Sequence, residues 1–292
     1  IGVPEEDIDN ANPTPTKVAI EERFKEIAGN SLFSVCGLTI NDAVYCWGRP
    51  LGGSYGDGEL HTEGFSAVPV RTNGGPWTDL IVGTSEACAL DLAGQLYCWG
   101  LRYYKSEGNS AHNSGPYLEP TPFPEGYRFQ SIARTNSSTC GITANGDAYC
   151  WGHNAHGQLG LGYTDGTHVE PTEPVLGGHR FTQITGGSSR FCGLTAQGKA
   201  YCWGWNQALG FPYDESKVVV CGEDKVRCVP QPVPVNTTET FSQIGMGHYH
   251  TCALSNEGMA YCWGWSSHGQ VGIGAESAAE PVLVVNPLAN ES

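Results

Sequence analysis

Apolar residues along the chain fall in short clusters separated by glycine, proline and polar turns, and the clusters recur. An aromatic residue (Phe24, Trp77, Phe129, Phe181, Phe241) is followed three positions later by an aliphatic one (Ile27, Leu80, Ile132, Ile184, Ile244). Then come Cys-Gly/Ala-Leu/Ile, a polar turn and Tyr-Cys-Trp-Gly, and a proline-containing stretch (SAVPV, PTPFP, EPVL, PQPVPV) leads to the next aromatic. Apolar runs this short, bounded by turn residues, predict strands, and each repeat reads as four of them, A to D. The charges of AIEERFKEIA suit a helix, but Phe24 and Ile27 align with strand A of the other repeats, so the register predicts a strand.

The repeat is counted most easily on its cysteines. Cys36 and Cys46, Cys88 and Cys98, Cys140 and Cys150, Cys192 and Cys202, and Cys252 and Cys262 each lie ten positions apart by subtraction, and every second cysteine precedes Trp-Gly. The first cysteines step by 52, 52, 52 and 60, so the last interval carries an insertion of eight, which brings Cys221 and Cys228. A four-stranded unit of this length cannot bury both faces alone, and radial stacking of such units makes a propeller. The expected fold is all-β, a β-propeller of five four-stranded blades at about 24–76, 77–128, 129–180, 181–240 and 241–286. Residues 1–20 form an N-terminal arm and 287–292 a tail around a propeller of 21–286.

Midway between the cysteines lies a hairpin turn, with glycine one residue past the midpoint in four repeats (Gly94, Gly146, Gly198, Gly258) and Asp42 in the first. A three-residue hairpin with a bulge needs a left-handed residue there. Turning at that point sets the two cysteines opposite each other on strands B and C, at disulfide distance. Five intrablade disulfides are expected, with Cys221 joined to Cys228. The spacers do not suit structural zinc, which favours two to four residues between ligands. Disulfides imply a secreted, cell-surface or otherwise oxidising location. The sequons at Asn136, Asn236 and Asn290 agree with it as glycosylation candidates.

Of 292 residues, 40 are Gly and 18 Pro, and a net charge of −15 comes from 30 Asp+Glu against 15 Lys+Arg. An acidic surface without a basic run repels phosphate backbones and anionic headgroups, so neither nucleic acid nor membrane insertion is expected. No apolar stretch approaches the ~18 residues that span a bilayer as a helix. The opening IGVPEEDIDNANPTPTK reads as a processed N-terminus.

The motifs CGITANGDAYCWGHNAHGQLGLG and CALSNEGMAYCWGWSSHGQVGIG resemble the repeat of the regulator of chromosome condensation family, over Phe24 to about Val285. That resemblance implies a β-propeller, usually of seven blades, against five complete repeats here. Family members include nucleotide-exchange factors of a nuclear GTPase that bind chromatin, ultraviolet sensors, plant receptor ectodomains and secreted β-lactamase inhibitors. The acidic charge and the cysteines favour the extracellular members.

No nucleophile elbow or phosphate loop is present, and no catalytic residue or cofactor is expected. His153 and His156 have the spacing of a metal pair, but His156 matches His268 as a repeat residue, no third ligand is evident, and no metal is assigned. His248 and His250 alternate on one strand face, with His250 at the histidine position of the family motif. The repeated Trp47, Trp99, Trp151, Trp203 and Trp263 read as core. Trp205 and Trp265 occupy the variable site two positions later, which elsewhere holds Arg49, Leu101 and His153. Strand order places the A–B and C–D loops on one face, which gathers Arg49, Tyr103, Tyr104, His153, Trp205, His248, Tyr249, Trp265 and the Cys221–Cys228 loop. Such a mixture of aromatic and adaptable polar groups suits binding. The expected role is a non-enzymatic extracellular structural or interaction module, with a secreted inhibitor or carbohydrate-binding protein as the alternative. Its partners would be a protein, another copy docked through a terminal strand, or glycans. The terminal-strand idea rests on six D-like segments for five repeats: Asn12 to Val18 is surplus, and if it completes the last blade, Glu280 to Val285 is left unpaired.

Overall fold

The computed structural model describes residues 17–29, 34–49, 52–61, 66–83, 86–101, 116–206, 209–211, 216–222, 225–274 and 277–284. Contacts divide the chain into two compact units, 1–132 and 133–292. All regular elements of the described residues are strands.

The first unit holds two antiparallel sheets in chain order: β1 (Phe24–Gly29), β2 (Ser34–Thr39), β3 (Val44–Gly48) and β4 (Ser66–Arg71), then β5 (Trp77–Val82), β6 (Glu86–Asp91), β7 (Leu96–Gly100) and β8 (Tyr117–Pro122). AIEERFKEIA therefore supplies a strand at β1. The second unit holds the other three sheets. The third is β9 (Ser131–Arg134), β10 (Ser138–Ile142), β11 (Ala148–His153) and β12 (Thr167–His168). The fourth is β13 (Phe181–Gly186), β14 (Arg190–Thr195) and β15 (Ala200–Trp205), followed by β16 (Val219–Cys221) and β17 (Val226–Pro234). The fifth is β18 (Phe241–Met246), β19 (His250–Ser255), β20 (Ala260–Trp265) and β21 (Ser277–Leu283).

One blade departs from the four-strand expectation, and another keeps four strands with its D strand shortened. The insertion folds back as the β16–β17 hairpin, so the fourth sheet has five strands in the order β13-β14-β15-β17-β16. Strand D of the third is reduced to the two residues of β12 and one bridge, Tyr149 to Pro174. The terminal segments also need correction. The Glu280 copy is not left over: Val282 faces Cys262 and Leu283 faces Tyr261, so β21 completes its own sheet. Most of the surplus N-terminal copy lies outside the described residues.

The hairpin turns explain the cysteine register. Thr39 N–H donates to the Ala43 carbonyl at 2.8 Å, and the third turn residue is left-handed: Asp42 at φ 61°, with Gly94, Gly146, Gly198 and Gly258 at 73–81°. Counting from that bonded pair, Cys36 and Cys46 fall at a non-hydrogen-bonded position, where opposed residues approach most closely. The five B–C disulfides accordingly have Cα atoms 4.0–4.1 Å apart. Cys221–Cys228 clamps the inserted hairpin at 6.0 Å.

Trp-Gly stands at or one residue before the end of strand C for a reason other than turning. Its glycine has φ 97–107° in all five repeats. In the fourth sheet the strand pairing slips between Cys202 and Gly204, a bulge. A Cβ at Gly204 would stand 2.5 Å from the Ser189 carbonyl oxygen, so no side chain fits. In the second, fourth and fifth sheets the tryptophan before this glycine projects against the preceding sheet. Trp47, Trp99, Trp151, Trp203 and Trp263 are all buried. Trp99 Nε1 donates to the Ser54 carbonyl at 3.0 Å and Trp203 Nε1 to the Gln158 carbonyl at 2.9 Å, in each case in the C–D loop of the preceding sheet. Removing ~200 Å² of indole from water contributes up to about 5 kcal/mol each. A second link recurs beside it, since the N–H of the strand-A aromatic donates to the preceding turn: Trp77 to Asp42, Phe129 to Gly94, Phe181 to Gly146 and Phe241 to Gly198, at 2.8–2.9 Å.

Candidate functional site

In the second unit, the C–D end of the fourth and fifth sheets opens into a cleft of about 550 Å³. Its residues arrive by the repeat's own logic. The bulge that turns Trp203 inward leaves Trp205, the last residue of β15, on the opposite course, and Trp265 ends β20 in the same way. Tyr249, in the turn before β19, stands between them. Trp205 and Tyr249 have ring centres 5.8 Å apart at 75°, and Tyr249 and Trp265 are 5.4 Å apart at 74°. Leu209, Phe211, Asn206 and Ala278 contribute to the lining.

The row of rings continues beyond the cleft. His156 lies 6.3 Å from Trp205 and 6.2 Å from His153, His268 lies 6.3 Å from Trp265, and His248 meets Tyr249 edge-on at 4.2 Å. Trp265 is 46% exposed, which is unusual for so large an apolar ring and leaves its face available to a partner. Edge-to-face contacts hold Tyr249 against Trp205, Trp265 and His248, so this part of the surface is preorganised without being filled.

Of the predicted face, His153, Trp205, His248, Tyr249 and Trp265 therefore come together in one unit. Arg49 is exposed just after β3 in the first unit. Tyr103, Tyr104 and Asn290 lie outside the described residues. Asn136 and Asn236 are both exposed; the Asn136 amide bonds the Ser188 carbonyl at 3.2 Å, while the Asn236 side chain donates to Glu280. All described cysteines are in disulfides.

The His153–His156 pair is held as packing. Gln158 Nε2 lies 3.3 Å from His153 Nδ1 and its Oε1 accepts the His156 amide at 2.9 Å. A different trio, Asp57, Glu59 and His61 in the first unit, has ligand atoms within 4.8 Å of one another. There His61 Nε2 donates to Asp57 at 2.8 Å, and the same bond joins His168 to Asp165 at 2.8 Å in the third sheet. A recurring Asp–His hydrogen bond that closes the C–D loop accounts for both.

Leu209 and Phe211 were not singled out from sequence, since they read as ordinary members of the Gly-rich loop. Arg190 was also missed. A signal existed: it opens strand B where the other repeats carry Ser34, Glu86, Ser138 and His250. Burial lowers the pKa of His250, and the nearby Arg190 charge lowers it further.

Models of the regulator of chromosome condensation (RCC1) repeat match residues 130–158, 181–208 and 241–270, and a second model of the same repeat matches 145–192 and 197–254. The ultraviolet-B receptor UVR8 of Arabidopsis thaliana is 29% identical over 271 residues, 91% of this chain and 57% of the receptor. The chain thus spans little more than half the length of that relative. Among solved structures, Prp20p of Saccharomyces cerevisiae superposes with a TM-score of 0.73 at 22% identity, covering 88% of this chain and 62% of that one. The ectodomain of the Physcomitrella patens receptor kinase CR4 gives 0.53 at 20% identity, covering 87% and 57%. The chain carries regulator of chromosome condensation repeats, and its five sheets are those of an RCC1-like β-propeller.

Proposed function

We propose that the protein is a non-enzymatic extracellular interaction module that seats a protein partner in the aromatic cleft of its second unit. The observation that carries this reading is the Trp205–Tyr249–Trp265 row, which walls a 550 Å³ cleft with large rings from two strand ends and the turn between them. Aromatic anchors of this kind dominate protein interfaces. Two similar structures support the direction: Prp20p is described as binding Gsp1p and histones, and CR4 as an ectodomain. Six disulfides support an oxidising location and use of the exposed sequons Asn136 and Asn236.

Purification of the native protein with its partner, followed by titration of the purified pair, tests the reading. Trp205→Ala and Trp265→Ala should each cost ~1–3 kcal/mol of affinity without unfolding the chain. Normal binding by both variants would reject the cleft. The half-exposed Trp265 ring also favours a second reading, a carbohydrate site, which a glycan-array signal lost in Trp265→Ala would support. An assembly role would rest on the N-terminal segment, and an unchanged molar mass by light scattering after deletion of residues 1 to 18 would remove it.

A further inference from the structure

Arg190 opens β14 with no exposed surface, and none of its three guanidinium nitrogens has a hydrogen-bond partner among the described residues. An ion taken out of water without a partner costs several kcal/mol. Burial pushes its pKa down to about 10, so it remains charged at neutral pH. The chain has 30 acidic residues for 15 basic ones, yet places no described carboxylate on this cation.

Its position within the repeat shows where the charge lies. One repeat earlier, Ser138 Oγ donates to the His153 carbonyl at 2.8 Å, so side chains at this site reach the end of strand C. Arg190 is registered opposite Gly204, the residue before Trp205, and therefore stands at the cleft end of the fourth sheet. Two A–B turns close around it. A Cβ built at Gly187 would lie 3.6 Å from Nη2, and Gly247 packs on Gly187 and on the His250 ring from the fifth sheet. Tyr249 is common to both features: its ring walls the cleft, and it sits in the second of these turns, two residues after Gly247.

We propose that Arg190 is the anion anchor of the cleft, which takes an acidic residue flanked by an apolar one from the partner protein. The apolar side chain lies between Trp205 and Trp265, while Tyr249 swings aside to admit the carboxylate to the guanidinium. The planar fork of arginine matches a carboxylate with two parallel hydrogen bonds, and shelter from water strengthens them. This rests on the protein-binding reading and specifies its chemistry.

Two capped dipeptides, N-acetyl-Leu-Glu-amide and N-acetyl-Leu-Gln-amide, serve as probes, titrated calorimetrically into the full disulfide-bonded chain. The Glu peptide should bind about tenfold tighter than the Gln peptide. In Arg190→Met that ratio should fall to about one. The variant should also melt higher than wild type when ligand-free, because an unpaired buried charge has been replaced by an apolar chain. Trp265→Ala should weaken both peptides alike. Equal binding of the two peptides to wild type, no binding of either at millimolar concentration, or a preserved Glu preference in Arg190→Met each overturns the proposal. Loss of the preference in Arg190→Met with unchanged binding in Trp265→Ala would keep the anion anchor and reject the aromatic cleft.

Discussion

The fourth and fifth sheets carry the same motifs and meet different surroundings. Gly198 and Gly258 both close their hairpins left-handed, at φ 73° and 80°. The Gly198 carbonyl receives the Phe241 N–H, whereas a Cβ at Gly258 would find none of the described residues within 4 Å. Gly210 and Gly272 likewise share the C–D loop position and a φ of 82° and 71°. A Cβ at Gly210 would stand 2.9 Å from Trp263 Nε1, while at Gly272 it would meet only Val284. Leu194 is 2% exposed and its counterpart Leu254 is 38% exposed. The motif thus combines two requirements. Its backbone geometry is local and is satisfied in both sheets. Its slot for the next tryptophan is tertiary, and among the described residues it is filled in the fourth sheet and not in the fifth.

The largest expected effect tests the filled slot. Trp263→Ala removes the ring against Gly210 and should destabilise the protein by ~3–5 kcal/mol in urea titrations. Trp265→Ala, two residues on and half exposed, should shift the midpoint little; equal losses would break the distinction between core and surface rings. Next come the bridges. Replacing Cys192 and Cys202 by Ala should cost about 2–3 kcal/mol, because each closed loop restricts the unfolded chain. Replacing Cys252 and Cys262 should cost the same, since that restriction does not depend on what packs beside the folded strand.

Gly210→Ala and Gly272→Ala both incur the left-handed strain of ~1–2 kcal/mol. Gly210→Ala should cost a further ~1–3 kcal/mol for displacing the Trp263 indole. Equal values would show that φ alone selects these glycines. The smallest effect concerns the residue opening strand B, Arg190 in the fourth sheet and His250 in the fifth. The folded pKa of His250 lies below its ordinary value of 6.5, so the unfolded chain takes the proton first as the pH falls. Stability should therefore be constant above that value and decline below it, until the folded protein protonates too. Thermal melts of His250→Ser should show a shallower decline, as should Arg190→Met, which removes the neighbouring charge.

Features that depend on spacing within one repeat were legible in the sequence. Ten positions between cysteines, with the turn residue one past the middle, specify a hairpin, its register and the pair brought opposite, because each step involves neighbours along the chain. The same spacing made Phe24 a strand residue despite helix-like charges, and set Trp205 and Trp265 apart from the buried tryptophans. Only the tertiary structure decided how repeats meet. It decided that Trp-Gly forms a bulge, since the Ser189 carbonyl that excludes a Cβ belongs to the turn between β13 and β14. It also brought Leu209 and Phe211 to the cleft, and revealed Arg190 as a cation without a hydrogen-bond partner among the described residues. Burial and partnership are sums over residues distant in sequence, and identical motifs can differ in both: Gly210 has an indole against it, and Gly272 does not.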